Sequence, residues 1–113
     1  MYNNMNLRHF NKSILFDLLG NNEANVSLLI DNYFKEIYGF LKQLRKSAKK
    51  NDIDTFSDNA QAIATASKSV CFELMHVMAI EIEKIDISNT KETNDFIDEM
   101  ENELEIIKDL LNA

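Results

Sequence analysis

The stretch "LKQLRKSAKKNDIDTFSDNAQAIATASKSV", residues 41 to 70, holds the end of one helix, a boundary and the whole of the next. Its opening closes an apolar series that starts upstream, Val26, Leu29, Tyr33, Ile37, Phe40 and Leu44, spaced as one face of a helix requires. The series stops at Lys49, Lys50 and Asn51, and Asp52 then offers a side-chain acceptor suited to capping a new helix. Beyond it Ile53, Phe56, Ala60, Ile63, Ser67 and Val70 alternate three and four apart, with two small residues among them. Amphipathic helices joined by so few polar residues pack as antiparallel neighbours.

The rest of the chain extends this pattern. Leu7, Phe10, Ile14 and Leu18 predict a short first helix that stops at Gly20, a residue suited to the left-handed C-terminal cap. The Asn pair before Glu23 provides N-caps for the long second helix, in which Gly39 lowers stability without breaking it. Phe72, Met75, Met78, Ala79, Ile82 and Ile85 predict a fourth helix that fades at "DISNT". Asn89 with Glu92 three residues later resembles a capping box, and it opens a fifth helix striped by Phe96, Met100, Leu104, Ile107 and Leu111. No proline, two glycines and no strand-like alternation complete the picture. The expected fold is all-α: an antiparallel up-and-down four-helix bundle with an additional helix, in a single domain spanning residues 1–113.

Charge narrows the function classes. The net charge is −7, with +2 over residues 1–72 and −9 over residues 73–113, which argues against a nucleic-acid partner. The five cations from Lys42 to Lys50 read as the last turns of a helix, where positive charge opposes the macrodipole. No uncharged apolar run approaches the ~18 residues of a membrane span, and the N-terminus lacks the pattern of a secretory signal. The single cysteine, Cys71, sits between Val70 and Phe72 as a packed small hydrophobe. A cytoplasmic protein without a membrane partner is expected.

Chemical motifs are sparse. Glu73 and His76 form one Glu-x-x-His element of the kind found in di-iron bundles, but a second element is missing and Asn6 precedes His9 where a glutamate would be needed. Neither a metal nor another cofactor is expected. No Gly-rich phosphate loop or nucleophile and base set is present, and the carboxylates of the fifth helix read as periodic surface charge, so an enzyme is not expected. His76 lies at the edge of its helix's apolar stripe and reads as a boundary histidine with a hydrogen-bonded ring. His9 has nothing nearby in sequence to orient it.

The order of these pieces resembles histidine-containing phosphotransfer (HPt) domains, helical bundles that relay phosphoryl groups between receiver-domain aspartates. The likeness covers nearly the whole chain. "ILFDLLGNNEANVSLLIDNYF" (14–34) is similar to the family's opening, and residues 41–70 are similar to its centre. The family's reactive helix typically reads Ala-His-x-Leu-Lys-Gly-Ser, with the histidine nine residues after a capping Asp. Nine residues after Asp52 stands Gln61, preceded by Ala60; Ile63 keeps the apolar position, but Ala64, Thr65 and Ala66 replace the lysine, glycine and serine. Downstream, Met75, Met78, Ile82 and Glu83 represent the family's Leu-x-x-Leu-x-x-x-Leu-Glu.

An imidazole nitrogen with a free lone pair attacks phosphoryl groups; the amide nitrogen of Gln61 has its lone pair delocalised and can only donate or accept hydrogen bonds. The resemblance therefore implies a non-phosphorylatable relative that binds a response-regulator receiver domain or a histidine kinase and modulates a two-component phosphorelay. Ser57, Gln61, Ala64, Thr65 and Lys68 form its docking strip, roughly 130° from the apolar face at ~100° per residue. A monomer is expected. Two alternatives stand beside it: a competent phosphohistidine carrier using His76, and a structural or adaptor bundle unrelated to phosphotransfer.

Overall fold

A computed structural model describes residues 8–10, 12–18, 20 and 22–112. Five helices follow one another: α1 (Lys12–Leu18), α2 (Glu23–Lys49), α3 (Ile53–Ser69), α4 (Glu73–Glu83) and α5 (Thr90–Leu111). Among the described residues there is no strand, and the protein is all-helical. The long dimension of 44 Å is set by the 27 residues of α2, which span about 40 Å at 1.5 Å per residue.

The polar boundaries of the sequence become helix caps. The Asn22 side chain accepts from the Asn25 N–H at 3.1 Å, Asp52 from Thr55 at 3.2 Å and Asn89 from Glu92 at 3.2 Å. The Asn89 amide also donates to Glu92 Oε2 at 3.1 Å, so this helix start has the reciprocal bonds of a capping box. Such caps are worth typically about 1 kcal/mol each.

With glycine absent from the α2–α3 and α3–α4 junctions, other residues take the left-handed turn position. Asn51 has φ 55° and Cys71 has φ 59°. Around Asn51, the Asp52 N–H reaches the Ser47 carbonyl at 2.8 Å and the Asn51 N–H reaches Ala48 at 3.1 Å. Around Cys71, the Phe72 N–H reaches Ser67 at 3.0 Å and the Cys71 N–H reaches Lys68 at 3.1 Å. Both junctions are Schellman motifs, which satisfy the last carbonyls of one helix while reversing the chain.

Contacts run in a ring: α2 packs broadly on α3 and α3 on α4, while α5 meets both α4 and α2. Helix α1 touches α2. The core is built from Tyr33, Ile37, Leu41 and Leu44 of α2, Phe56, Ala60 and Ile63 of α3, Met75, Met78 and Ile82 of α4, and Ile97, Met100, Leu104 and Ile107 of α5. Ala60 is fully buried where α3 meets its neighbours, so the small residue permits close helix approach. Phe72 is fully buried and stands edge-on to Tyr33 with ring centroids 4.9 Å apart. The Tyr33 hydroxyl shares a 2.8 Å hydrogen bond with Ser67 across α2 and α3, and burial holds its pKa above the ordinary tyrosine value.

Several expected core positions are shifted by one residue. Ile14 is 47% exposed while Leu15 is buried, and Ile53 is 65% exposed at the first turn of α3, before the helix reaches its neighbours. Phe40 and Phe96 are half-buried, and Leu41 and Ile97 take the central places. A stripe wider than a strict three-four seam has two apolar residues competing for each layer, and packing chooses between them. Phe10, expected on the first helix, lies before it and packs on Phe72. Leu7 and the side chain of Leu18 lie outside the described residues.

Candidate functional site

Gln61 is exposed on the outward side of α3, one turn beyond Ser57. Its Nε2 donates to Ser57 Oγ at 3.2 Å and to Glu83 Oε2, near the end of α4, at 2.7 Å. Ser57 Oγ also donates to Glu83 Oε2. These bonds favour the charged carboxylate, with Ser57 the larger influence, and hold Glu83 below its ordinary pKa. One turn further along α3, the Ala64 carbonyl accepts a 2.7 Å bond from His76 Nδ1 of α4. Positions rising along α3 pair with positions falling along α4, so the two helices run in opposite directions at this seam.

The docking strip read from the sequence thus divides in two. Ser57 and Ala64 are half-buried and lean into the α3–α4 seam, whereas Gln61, Thr65 and Lys68 are exposed. On the α4 side, His76, Ile80 and Glu83 share one helix face by their spacing, and Ile80 is 38% exposed. An apolar side chain on a seam with an amide, a hydroxyl, a lysine and a carboxylate suits protein contact through mixed polar and apolar groups.

Chemically, the seam cannot act through Gln61 as a nucleophile. His76 is half-buried, and its Nδ1 donates to the Ala64 carbonyl, so the tautomer selected by this bond has its lone pair on Nε2.

No family model, curated protein or solved structure compared with the chain matches it.

The other residues singled out from the sequence are drawn apart. Glu73 Oε2 accepts from the Arg8 backbone N–H at 3.1 Å while His76 turns to Ala64, so the Glu-x-x-His pair does not converge. Among the described residues, no group of three or more His, Cys, Asp and Glu side chains is arranged to hold a metal ion. Cys71 is half-buried, and burial, followed by the nearby Glu73 charge, raises its thiol pKa. No helix among the described residues is long and apolar enough to cross a membrane.

Two acidic groups carry roles that the sequence reading does not assign. Glu83 is the partner of Gln61 across the helical hairpin; opposite directions of α3 and α4 about the turn at 70–72 place the two abreast. Glu103 is 3% exposed and bonds to His9, contrary to the expectation that every α5 carboxylate is surface charge. Its position, three residues after Met100 and four before Ile107, is the signal that could have found it.

Proposed function

We propose that this chain is a non-phosphorylatable relative of HPt domains, cytoplasmic and monomeric, which binds a receiver domain or histidine kinase and modulates a two-component phosphorelay without catalysing a reaction. The observation that carries the reading is Gln61: it is exposed on α3 at the position where the family resemblance expects histidine, and it is held by Ser57 and Glu83. The contact ring of α2, α3, α4 and α5, with α1 set on α2, supports an antiparallel up-and-down four-helix bundle with an additional helix. On this reading the partner meets Gln61, Thr65 and Lys68, with Ile80 as the apolar member contributed by α4. Occupying a partner's face without accepting its phosphoryl group makes the chain a competitor of an authentic relay protein.

A gain of function tests this. In Gln61→His, the Glu83 carboxylate stands where it can orient an imidazole through one ring nitrogen and leave the other free to attack. Incubated with a panel of phosphorylated receiver domains, Gln61→His should acquire acid-labile phosphate from at least one and the unaltered chain from none. A folded Gln61→His that stays unlabelled throughout the panel counts against the reading.

The second reading, a phosphocarrier using His76, is favoured by the Nδ1 bond to Ala64, which leaves Nε2 as the acceptor nitrogen. It requires label on the unaltered chain that His76→Ala abolishes. Absence of label, or its survival in His76→Ala, removes this reading.

A further inference from the structure

Residues 8–10 cross the start of α4 and reach α5, and each is tied down by a different contact. The Arg8 N–H donates to Glu73 Oε2 and the Arg8 carbonyl accepts from the Leu74 N–H, both at 3.1 Å. His9 Nδ1 lies 2.8 and 2.7 Å from the two carboxylate oxygens of Glu103. The Phe10 ring stands edge-on to Phe72 at 5.4 Å. The bond to Leu74 matters for α4 itself, because Phe72 at its N-cap makes no side-chain capping bond. The strap carbonyl accepts from a donor at the start of α4, where a helix leaves such groups without partners.

Glu103 is the firm side of the latch and His9 the open side: their side chains are 4% and 42% exposed. A buried carboxylate without a counter-charge is costly, and a protonated imidazole supplies that charge. Burial raises the Glu103 pKa, against the opposing hydrogen bond and charge of His9. Most of the charge around the pair is negative. Asp98 and Glu99 of α5 line the same roughly 470 Å³ cavity as His9 and Glu103. Glu73 of α4 holds the strap backbone, Tyr33 of α2 lies within electrostatic reach of Glu103, and Arg8 brings the strap's other cation.

We propose that the His9–Glu103 pair is a proton-dependent latch, which closes residues 8–10 over the α4–α5 seam while the imidazole is charged and loosens when it is neutral. A neutral imidazole still donates from Nδ1, but the charge attraction is gone and Glu103 is left among carboxylates. Opening uncovers Leu74 and Met78, which line the cavity with His9, and frees the Leu74 N–H. The latch is independent of the phosphorelay reading, because none of its groups belongs to the Gln61–Glu83 seam.

The Arg8–His9 bond is itself the probe, since trypsin cleaves after arginine and needs the segment free. Cleavage after Arg8 in the full chain is compared at pH 6.0, 7.0 and 8.5 with that of a free peptide of residues 3–14, which cancels the protease's own pH dependence. The normalised rate should rise several-fold from pH 6.0 to pH 8.5, because the charge attraction that holds the strap closed is lost with the imidazole's proton. In Glu103→Gln the profile should be flat, and at pH 6.0 cleavage should exceed that of the unaltered chain. His9→Gln, normalised to its own peptide, should likewise be cleaved faster than the unaltered chain at pH 6.0, with circular dichroism confirming that each protein remains helical. A flat profile in the unaltered chain, a pH-dependent one retained by folded Glu103→Gln, or a His9→Gln protein no more readily cleaved at pH 6.0 than the unaltered chain overturns the latch.

Discussion

Cys71→Gly should leave the protein more stable than Cys71→Ala does, although it removes more of the half-buried side chain. Cys71 occupies the left-handed position that closes α3, with φ 59°. For an L-residue that conformation costs roughly 1–2 kcal/mol, because Cβ crowds the neighbouring carbonyl. Glycine removes the crowding but returns roughly 0.5–1 kcal/mol through the greater freedom of its unfolded chain. The lost thiol contact is separated out by Cys71→Ala, which removes sulfur and keeps the strain. Glycine should therefore exceed alanine by about 0.5–1 kcal/mol, and a domain of this size gains about 4 °C in Tm per kcal/mol. Thermal unfolding of both variants by circular dichroism should place Cys71→Gly about 2–4 °C above Cys71→Ala. If alanine equals or exceeds glycine, the strain at this turn is not what the backbone angle implies. The parallel change Asn51→Gly should gain only a few tenths of a kcal/mol, since asparagine tolerates φ 55° better than cysteine does.

Three further outcomes follow from particular contacts. Tyr33→Phe leaves the Ser67 hydroxyl buried without its partner and should cost about 1–2 kcal/mol in urea unfolding, while the double change Tyr33→Phe with Ser67→Ala should recover much of that loss. A Cβ added at Gly39 of α2 would meet nothing within 4 Å, so Gly39→Ala should raise stability by about 0.5–1 kcal/mol, read as a higher urea midpoint. Glu83 titrates below its ordinary value in the folded chain, so its contribution is complete above that value and is lost as pH falls through the depressed one. Urea midpoints measured from pH 6 to pH 3 should accordingly fall less steeply for Glu83→Gln than for the unaltered chain.

The helices were legible because each carries its own periodicity and its own stop. Asp52 and Asn89 cap the helices that their positions suggested, and the Lys49–Asn51 boundary closes α2. The turn at Cys71 was less legible: the chain uses a left-handed residue other than glycine there, and no composition signal marks it. Single-residue choices such as Leu15 over Ile14 or Ile97 over Phe96 depend on which side chain fills a layer between helices, information that lies in the partner helix. At the candidate site, the exposure of Gln61, Thr65 and Lys68 follows from helical angle alone. The bonds from Gln61 and Ser57 to Glu83 depend on the register of α3 against α4, and the His9–Glu103 pair joins residues 94 positions apart. Neither relation is written in local sequence.

The exposed part of the strip bears the weight of the functional proposal, and amide shifts can follow it residue by residue. The ¹⁵N-labelled chain is titrated with receiver and histidine-kinase domains, with backbone and side-chain amide signals assigned. At least one partner should produce saturable shifts at the Gln61 side-chain amide and at the backbone amides of Thr65 and Lys68, with none on the outer face of α5. Partners that leave those three residues undisturbed, or that move only α5, would contradict docking through α3.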